Sequence, residues 1–210
     1  MTFYRTVRSI VLALCRVLFR VRVTGKANVP KVGAYILAPT HRSLMDIPFA
    51  TYSTKRRIRF MAKQELFKKP LLAKLLTGLG GFPVDRGSAD RAALRTAQAC
   101  IEGGEPTALF PEGTRLTGPT LGEFFDGAAY LAIKTGVPIV PVAIGGSEQI
   151  LASGNVLPKL RRVAVVIGEP IFPPTRDGGA VKRSSITAMT EQLQNSLQAL
   201  FDQAMKNAGY

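Results

Sequence analysis

The most informative stretch of this chain is TALFPEGTR, residues 107–115. Its first four residues predict a short buried strand, because they form an apolar run bounded by turn-forming residues. The strand would lead directly into a turn that carries a carboxylate, a glycine, a hydroxyl and a guanidinium. Gly113 lets backbone N–H groups approach a ligand, and Arg115 can bind a phosphate with two parallel hydrogen bonds. The turn is therefore a candidate binding loop, although a Glu112–Arg115 pair that only braces the loop is an alternative.

Strands and helices alternate on both sides of this stretch. Further strands are predicted over 32–39, 58–62, 82–84, 139–143 and 163–167. Four helices are predicted, over 64–79, 89–102, 127–135 and about 184–206. Pro70 is expected to interrupt the first helix, Ser88 and Asp126 to cap the second and third, and Ser184 or Ser185 to cap the last, which runs to about Lys206. Residues 146–161 are predicted to be a loop. This alternation predicts a layered α/β domain with a mixed, largely parallel sheet flanked by helices.

A second candidate loop contains the only histidine of the chain, in THRSLMD, residues 40–46. It follows the strand that ends at Pro39, and sites in open α/β sheets gather at the carboxyl ends of strands. His41 and Asp46 are predicted to act as a general base and its orienting partner. Five residues rotate about 500° on a helix, so the two can meet only if His41 precedes the helix that Asp46 begins. From spacing alone, a surface histidine near a capping aspartate remains an alternative.

Composition indicates the kind of partner. The 210 residues include 28 Lys and Arg against 14 Asp and Glu, a net charge of +14, with 46% hydrophobic residues. Such a chain is expected to meet a strongly anionic partner. With no tryptophan and 8% aromatics, base stacking is poorly provided for, so an anionic membrane is favoured over nucleic acid. Cys15 and Cys100 cannot build a disulfide framework, which fits a reducing compartment. One histidine excludes a multi-histidine metal site.

The first 22 residues predict an amphipathic helix. Four arginines share one arc of it, and the opposite arc is apolar, comprising Phe3, Val7, Ile10, Val11, Leu14, Val17, Leu18 and Val21. The longest uncharged run, Ser9 to Cys15, is far below the ~20 residues of a spanning helix, and no signal-peptide cleavage site follows. The pattern favours a helix lying in the membrane interface. Packing of this helix on the protein's own core is an alternative that can hold in part.

Taken together, the loops resemble the glycerolipid acyltransferase family, the 1-acylglycerol-3-phosphate acyltransferases and their relatives. The matching blocks are the H-x4-D of His41 and Asp46, GGFPVDRG ending near Arg86, FPEGTR at 110–115, and VPIVPV at 137–142. The resemblance covers roughly residues 25–170, including AKQEL at 62–66. Three positions depart from the family's pattern: Thr40 stands where many relatives have asparagine, Pro83 where phenylalanine is usual, and Phe125 where a lysine is common.

The resemblance implies a reaction and a role for each residue. An acyl group would pass from acyl-CoA or acyl-ACP to the free hydroxyl of a lysophosphatidic acid-type acceptor, making phosphatidic acid without a cofactor. His41 would act as general base and Asp46 would orient it. Arg86 and Arg115 would bind the acceptor's phosphate, with Lys63 as a third cation, while Glu112, Gly113 and Thr114 would shape the pocket.

The helix pattern, the basic charge and the cysteine usage together predict an organisation and a location. Residues 1–22 would form the membrane-interface helix and residues 23–210 the acyltransferase domain, at the cytoplasmic face of the cell membrane. Other readings remain open at this point. Glycerol 3-phosphate or another lysophospholipid could be the acceptor, water could replace the alcohol in a thioesterase, or the chain could be a non-catalytic basic membrane-binding module.

Overall fold

The computed structural model describes residues 2–84, 91–150, 158–175 and 179–210. This part of the chain contains six α-helices, three short 3-10 helices and seven strands, with helices and strands largely alternating. The helices are α1 Thr2–Phe19, α2 Asp46–Ala50, α3 Pro70–Leu79, α4 Arg91–Glu102, α5 Gly127–Thr135 and α6 Arg183–Ala208. The strands are β1 Arg22–Thr24, β2 Ile36–Pro39, β3 Arg59–Lys63, β4 Gly81–Val84, β5 Thr107–Ala108, β6 Ile139–Gly145 and β7 Ala164–Ile167.

The strands form a single sheet in the order β1-β7-β6-β2-β5-β3-β4. The five strands β6, β2, β5, β3 and β4 are parallel to one another, with Ile36 opposite Ile139 and Leu37 opposite Ala108. Strand β7 runs antiparallel to β6 and parallel to β1. The predicted mixed, largely parallel sheet is therefore confirmed. As a consequence, the carboxyl ends of β2 to β6 lie along one edge of the sheet, which we call the carboxyl edge.

Helices cover both faces of the sheet. In β2, Leu37 packs into a core shared with α1 and α2, whereas Ile36 and Ala38 pack into a core shared with α4, α5 and α6. Successive side chains of a strand point to opposite faces, so a strand that is buried on both sides must be apolar throughout, as ILAP is. The predicted layered α/β domain is confirmed.

Several element boundaries differ from the sequence prediction. The strand expected from Val32 begins at Ile36, because residues 31–33 bend and leave Val32 84% exposed. The last helix begins at Arg183 with Lys182 as its N-cap, and no side chain caps it, so the expected Ser184 or Ser185 cap is wrong. The interruption at Pro70 is confirmed: a 3-10 turn at Gln64–Lys68 precedes α3. The expected cap Ser88 lies outside the described residues.

Helix α5 has the predicted bounds but a different use of its first side chain. Asp126 is the N-cap residue and makes no side-chain cap hydrogen bond. Its carboxylate instead accepts a hydrogen bond from Thr190 (2.8 Å) and pairs with Arg183 (2.7 Å), both on α6. Asp126 therefore joins two helices of the same layer.

Helix α1 has a buried side, an exposed apolar side and an exposed polar side that carries Arg5, Ser9 and Arg16. Tyr4, Leu12, Cys15 and Phe19 are buried in or against the core. The predicted apolar arc is exposed instead, at Phe3, Ile10, Val11, Leu14, Val17 and Leu18, and we call these six residues the apolar stripe. Val21 was expected on this arc and lies buried after the helix ends. Arg8 was expected to face lipid but donates to the carbonyls of Thr51 and Thr54. Within the described residues, no helix has both the length and the apolarity to cross a membrane.

Candidate active site

Two loops meet at the carboxyl edge of the sheet. One follows β2 and carries Thr40 to Met45, and the other follows β5 and carries residues 109–115. Because β2 and β5 are adjacent parallel strands, their loops leave side by side, and the N–H of Leu109 still donates to the carbonyl of Leu37 (2.9 Å). Further along, the N–H of Leu116 donates to the carbonyl of His41 (3.1 Å). The H-x4-D and FPEGTR segments therefore form one local structure.

His41 and Asp46 meet in the first of these loops. His41 precedes α2, Asp46 is its first residue, and Nδ1 of His41 lies 3.3 Å from Oδ2 of Asp46. Both side chains are buried. The same Oδ2 accepts the backbone N–H groups of Arg42 (2.5 Å) and Ser43 (2.6 Å). Three donors thus hold the carboxylate in place, and the carboxylate in turn orients the imidazole.

This arrangement suits acid–base chemistry. A carboxylate at Nδ1 favours the tautomer with a proton on Nδ1, which leaves Nε2 free to accept a proton. Nε2 has no hydrogen-bond partner within the part of the chain that the structure describes. The imidazole also stacks on Phe110, with ring centroids 4.1 Å apart and planes tilted by 31°. Phe110 limits the movement of the ring from the side of the FPEGTR segment.

Glu112 is buried and serves both loops. One carboxylate oxygen, Oε2, accepts the N–H of His41 (3.2 Å), and the other, Oε1, accepts the N–H of Gly122 (3.1 Å). Oε1 also pairs with Nη2 of Arg42 (3.3 Å), and both side chains are almost fully enclosed. The expected alternative of a Glu112–Arg115 pair is wrong, since the partner is Arg42. Glu112 was expected to shape a binding pocket; in the structure its buried carboxylate joins the histidine loop to the chain around Gly122.

Sequence reasoning missed Arg42. Its guanidinium donates to the carbonyl of Thr120 (3.0 Å) and lies over the ring of Phe201 on α6, 5.1 Å from the ring centroid. An arginine next to a catalytic-type histidine carries no local sign of burial, because its partners are 70 to 159 residues away in sequence. The only signal in the sequence was the position of Arg42 inside the H-x4-D motif, directly after His41.

The tip of the FPEGTR segment is exposed. Gly113 has φ +66°, a conformation that side chains disfavour, and a Cβ there would come within 2.7 Å of the ring of Phe125. Thr114 and Arg115 are exposed, and Arg115 forms no ion pair with any described residue. Phe125, where the resemblance led us to expect a lysine, is 69% exposed. The tip therefore offers one uncommitted cation beside an exposed aromatic ring.

Of the two remaining predicted phosphate ligands, the structure describes only Lys63. Lys63 is the last residue of β3, on the carboxyl edge, and its ammonium pairs with Glu65 (3.1 Å). Arg86 lies outside the described residues, as does the rest of 85–90. Thr40, where the resemblance led us to expect an asparagine, is buried, and its hydroxyl accepts the N–H of Ile144 (3.0 Å). It thereby ties the start of the histidine loop to β6.

Comparison with known proteins shows the family to which this chain belongs. A family model described as Acyltransferase matches residues 20–145, well over half of the chain. The chain belongs to the acyltransferase family. The matched range contains both loops of the site, whereas α6, whose Phe201 lies beneath Arg42, falls outside it.

Individual relatives in the acyltransferase family are similar over most of the chain. A curated 1-acyl-sn-glycerol-3-phosphate acyltransferase of Bacillus subtilis (strain 168) is 28% identical over 187 residues, which cover 86% of this chain and 91% of that protein. A chloroplastic 1-acyl-sn-glycerol-3-phosphate acyltransferase of Brassica napus is 29% identical over 76% of this chain, which spans 47% of that protein's length. The crystal structure of the 1-acyl-sn-glycerophosphate (LPA) acyltransferase PlsC from Thermotoga maritima has a TM-score of 0.76 and 29% identity, covering 94% of this chain and 79% of that one.

Proposed function

We propose that this acyltransferase moves a fatty acyl group from an acyl thioester to the free hydroxyl of a lysophosphatidic acid-type glycerophosphate, producing phosphatidic acid for phospholipid biosynthesis. The observation that carries the proposal is the buried pair of His41 and Asp46, 3.3 Å apart, beside a loop that presents an uncommitted arginine. The names of the relatives support the same acceptor.

In the proposed reaction His41 is the general base. Nε2 takes the proton of the acceptor hydroxyl as its oxygen attacks the thioester carbonyl carbon. The tetrahedral intermediate then collapses, the carbon–sulfur bond breaks, and the leaving thiolate takes the proton from the imidazolium. Asp46 stabilises the imidazolium between these two steps. Such proton transfer typically accelerates a reaction by ~10²–10⁴, and it needs neither a cofactor nor a covalent acyl-enzyme.

We propose Arg115 and Arg86 as ligands of the acceptor's phosphate. Arg115 is exposed at the carboxyl edge and unpaired within the described residues, which suits an arginine that binds phosphate on two oxygens. Gly113 and Thr114 form the same loop tip and shape the pocket with Glu112 beneath them. Lys63 is a weaker ligand in this proposal, because it already pairs with Glu65. The donor is an acyl thioester of either coenzyme A or acyl carrier protein.

We also propose that the protein works on an anionic membrane surface, at its cytoplasmic face. The apolar stripe supports this, since six large apolar side chains of α1 are exposed along one side of a helix whose other side is packed on the core. Residues 1–22 would provide this contact, and residues 23–210 would form the catalytic domain. Such partial insertion is typical of interfacial helices.

The test is an assay of purified protein with anionic vesicles and an oleoyl thioester, of coenzyme A or of acyl carrier protein in separate runs. Four acceptor conditions are compared: lysophosphatidic acid, glycerol 3-phosphate, lysophosphatidylglycerol and none. Thiol release and acylated lipid are measured for the wild type and for His41→Ala. We expect phosphatidic acid from lysophosphatidic acid, and its loss in the variant. Thiol release without acceptor would indicate a thioesterase. Turnover unchanged by His41→Ala, or none with a CoA or carrier-protein donor, would contradict the mechanism.

A further inference from the structure

A groove of about 370 Å³ lies between the polar side of α1 and the chain that follows α2. Four cations from three separate segments line it: Arg8 and Arg16 on α1, Lys26 in the turn after β1, and Lys55 before β3. We call it the cationic groove. The described residues that line it include no carboxylate. Positive charges have therefore been brought together by the fold without a counterion.

The charges of the cationic groove are uncompensated. None of its four cations forms an ion pair within the described residues. Arg8 is fixed in place, because its Nη2 donates to the carbonyls of Thr51 (2.7 Å) and Thr54 (2.6 Å), while its buried Nε has no partner. Burial and the neighbouring Arg16, Arg8 and Lys55 lower the pKa of Lys26 below its ordinary value. A bound anion would relieve this repulsion.

The position of the cationic groove indicates which anion it meets. Ala13 lies on its rim and is three residues from Ile10 and four from Val17 in the apolar stripe, so groove and stripe share the surface of one helix. Lys55 precedes β3, at the edge of the sheet opposite His41. The groove thus borders the surface proposed to enter the membrane and lies away from the catalytic loops.

We infer that the cationic groove binds the phosphate groups of anionic phospholipids while the apolar stripe enters the acyl layer beside it. Cations beside an inserted apolar face lie at the depth of the lipid phosphates. The inference rests on the proposed membrane docking of α1, and it adds a defined site for the head group. Its four cations would orient the protein as well as attach it.

The experiment compares two variants with equal loss of charge. The groove variant is Arg16→Gln with Lys26→Gln and Lys55→Gln, which keeps the structural Arg8. The control is Arg91→Gln with Arg95→Gln and Lys206→Gln, all exposed on the helices that cover the other face. Binding to phosphatidylcholine vesicles with phosphatidylglycerol is measured by co-sedimentation. We expect the groove variant to bind roughly 100-fold more weakly, at about fivefold per cation near the surface, and the control less than threefold more weakly.

Additional measurements separate the possible failures. Circular dichroism checks that both variants fold, and turnover in neutral detergent micelles is expected to be equal for all three proteins. If the wild type does not bind anionic vesicles, the proposed docking itself fails. If it binds and the two variants weaken equally, only net charge matters and the groove inference is wrong. In the wild type, inorganic phosphate without vesicles could raise the pKa of Lys26. If it does, and the groove variant and the control bind vesicles equally well, the groove is a site for soluble phosphate and the lipid assignment is overturned.

Discussion

Glu112 links the two sequence motifs of the site through a single carboxylate. Its oxygens accept the N–H groups of His41 and Gly122 and pair with the enclosed guanidinium of Arg42. The H-x4-D and FPEGTR segments are therefore coupled, because the backbone position of the histidine depends on a glutamate 71 residues further along. This residue acts by positioning the proposed base.

Replacing Glu112 is expected to destabilise the fold more than it weakens substrate binding. Glu112→Gln leaves Arg42 buried without its counter-charge, which typically costs about 3–5 kcal/mol. Arg115→Gln is the control: this exposed side chain is expected to change stability by less than about 0.5 kcal/mol and to raise KM for a phosphate-bearing acceptor. Urea unfolding and steady-state kinetics measure both effects. A stable Glu112→Gln protein with only a raised KM would show that Glu112 binds substrate instead.

Asp46→Asn is expected to separate orientation from charge. An asparagine oxygen can occupy the position of Oδ2 and still accept the N–H groups of Arg42 and Ser43. The neutral amide cannot stabilise the imidazolium, so kcat should fall by ~10²–10⁴ while KM changes little. Kinetics together with thermal unfolding check this. A fall in kcat that simply matches a fall in the folded fraction would assign Asp46 to the fold alone.

At this scale the sequence predicted the proposed base and its partner but not their support. His41 and Asp46 are five residues apart, so local spacing and chain direction determined how they could meet. Arg42 is held by Glu112, Thr120 and Phe201, which are distant in sequence. No periodicity reports contacts of this range, and Arg86 lies outside the described residues.

At the scale of elements, α1 shows how one helix divides its surface between the protein and a second environment. Periodicity predicted the apolar arc that the structure exposes. It did not predict the buried side made by Tyr4, Leu12, Cys15 and Phe19. On the helical projection Leu12 and Phe19 fall among the arginines, and Tyr4 and Cys15 fall between the arginines and the apolar arc. The sequence analysis did not predict strand β1, because RVT is only three residues long. Its partner strand, β7, is also about 140 residues away in the sequence.

Two leucines of α1 provide a matched pair. Leu12 is 8% exposed in the core and Leu14 is 56% exposed in the apolar stripe. Leu12→Ala should destabilise the fold by about 2–3 kcal/mol, since it leaves a cavity, while folded protein keeps its vesicle affinity. Leu14→Ala should leave stability within about 0.5 kcal/mol and weaken vesicle binding by about tenfold through lost apolar contact.

Urea unfolding measures the stability of both variants, and co-sedimentation measures their affinity for vesicles. Opposite responses in the two assays would assign one side of α1 to the core and the other to lipid. Equal vesicle affinity of Leu14→Ala and wild type would mean that the apolar stripe does not enter the membrane.

Across the whole molecule, the proposed catalytic site and the proposed membrane contact lie in different places: the first at the carboxyl edge, the second at α1 and the cationic groove. The parallel strands bring both motif loops to one edge, which the alternation of elements predicted. The net charge of +14 predicted an anionic partner without locating it. Only the packing of α1 against the chain after α2 creates the cationic groove, because its cations come from positions 8 to 55.

The separation of the exposed cationic groove from the buried catalytic pair predicts how salt affects turnover. Raising the ionic strength shortens the screening length from about 10 Å at 0.1 M to about 3 Å at 1 M, which should weaken attachment to anionic vesicles strongly. Turnover at limiting lipid should then fall, and added vesicles should restore the original kcat, because the buried pair of His41 and Asp46 is little screened. In neutral detergent micelles, the rate should change much less. Salt could instead lower kcat equally on anionic vesicles and on neutral micelles, even at saturating lipid. That result would mean that salt acts on the reaction at the carboxyl edge and not on attachment to the membrane, and it would contradict the prediction.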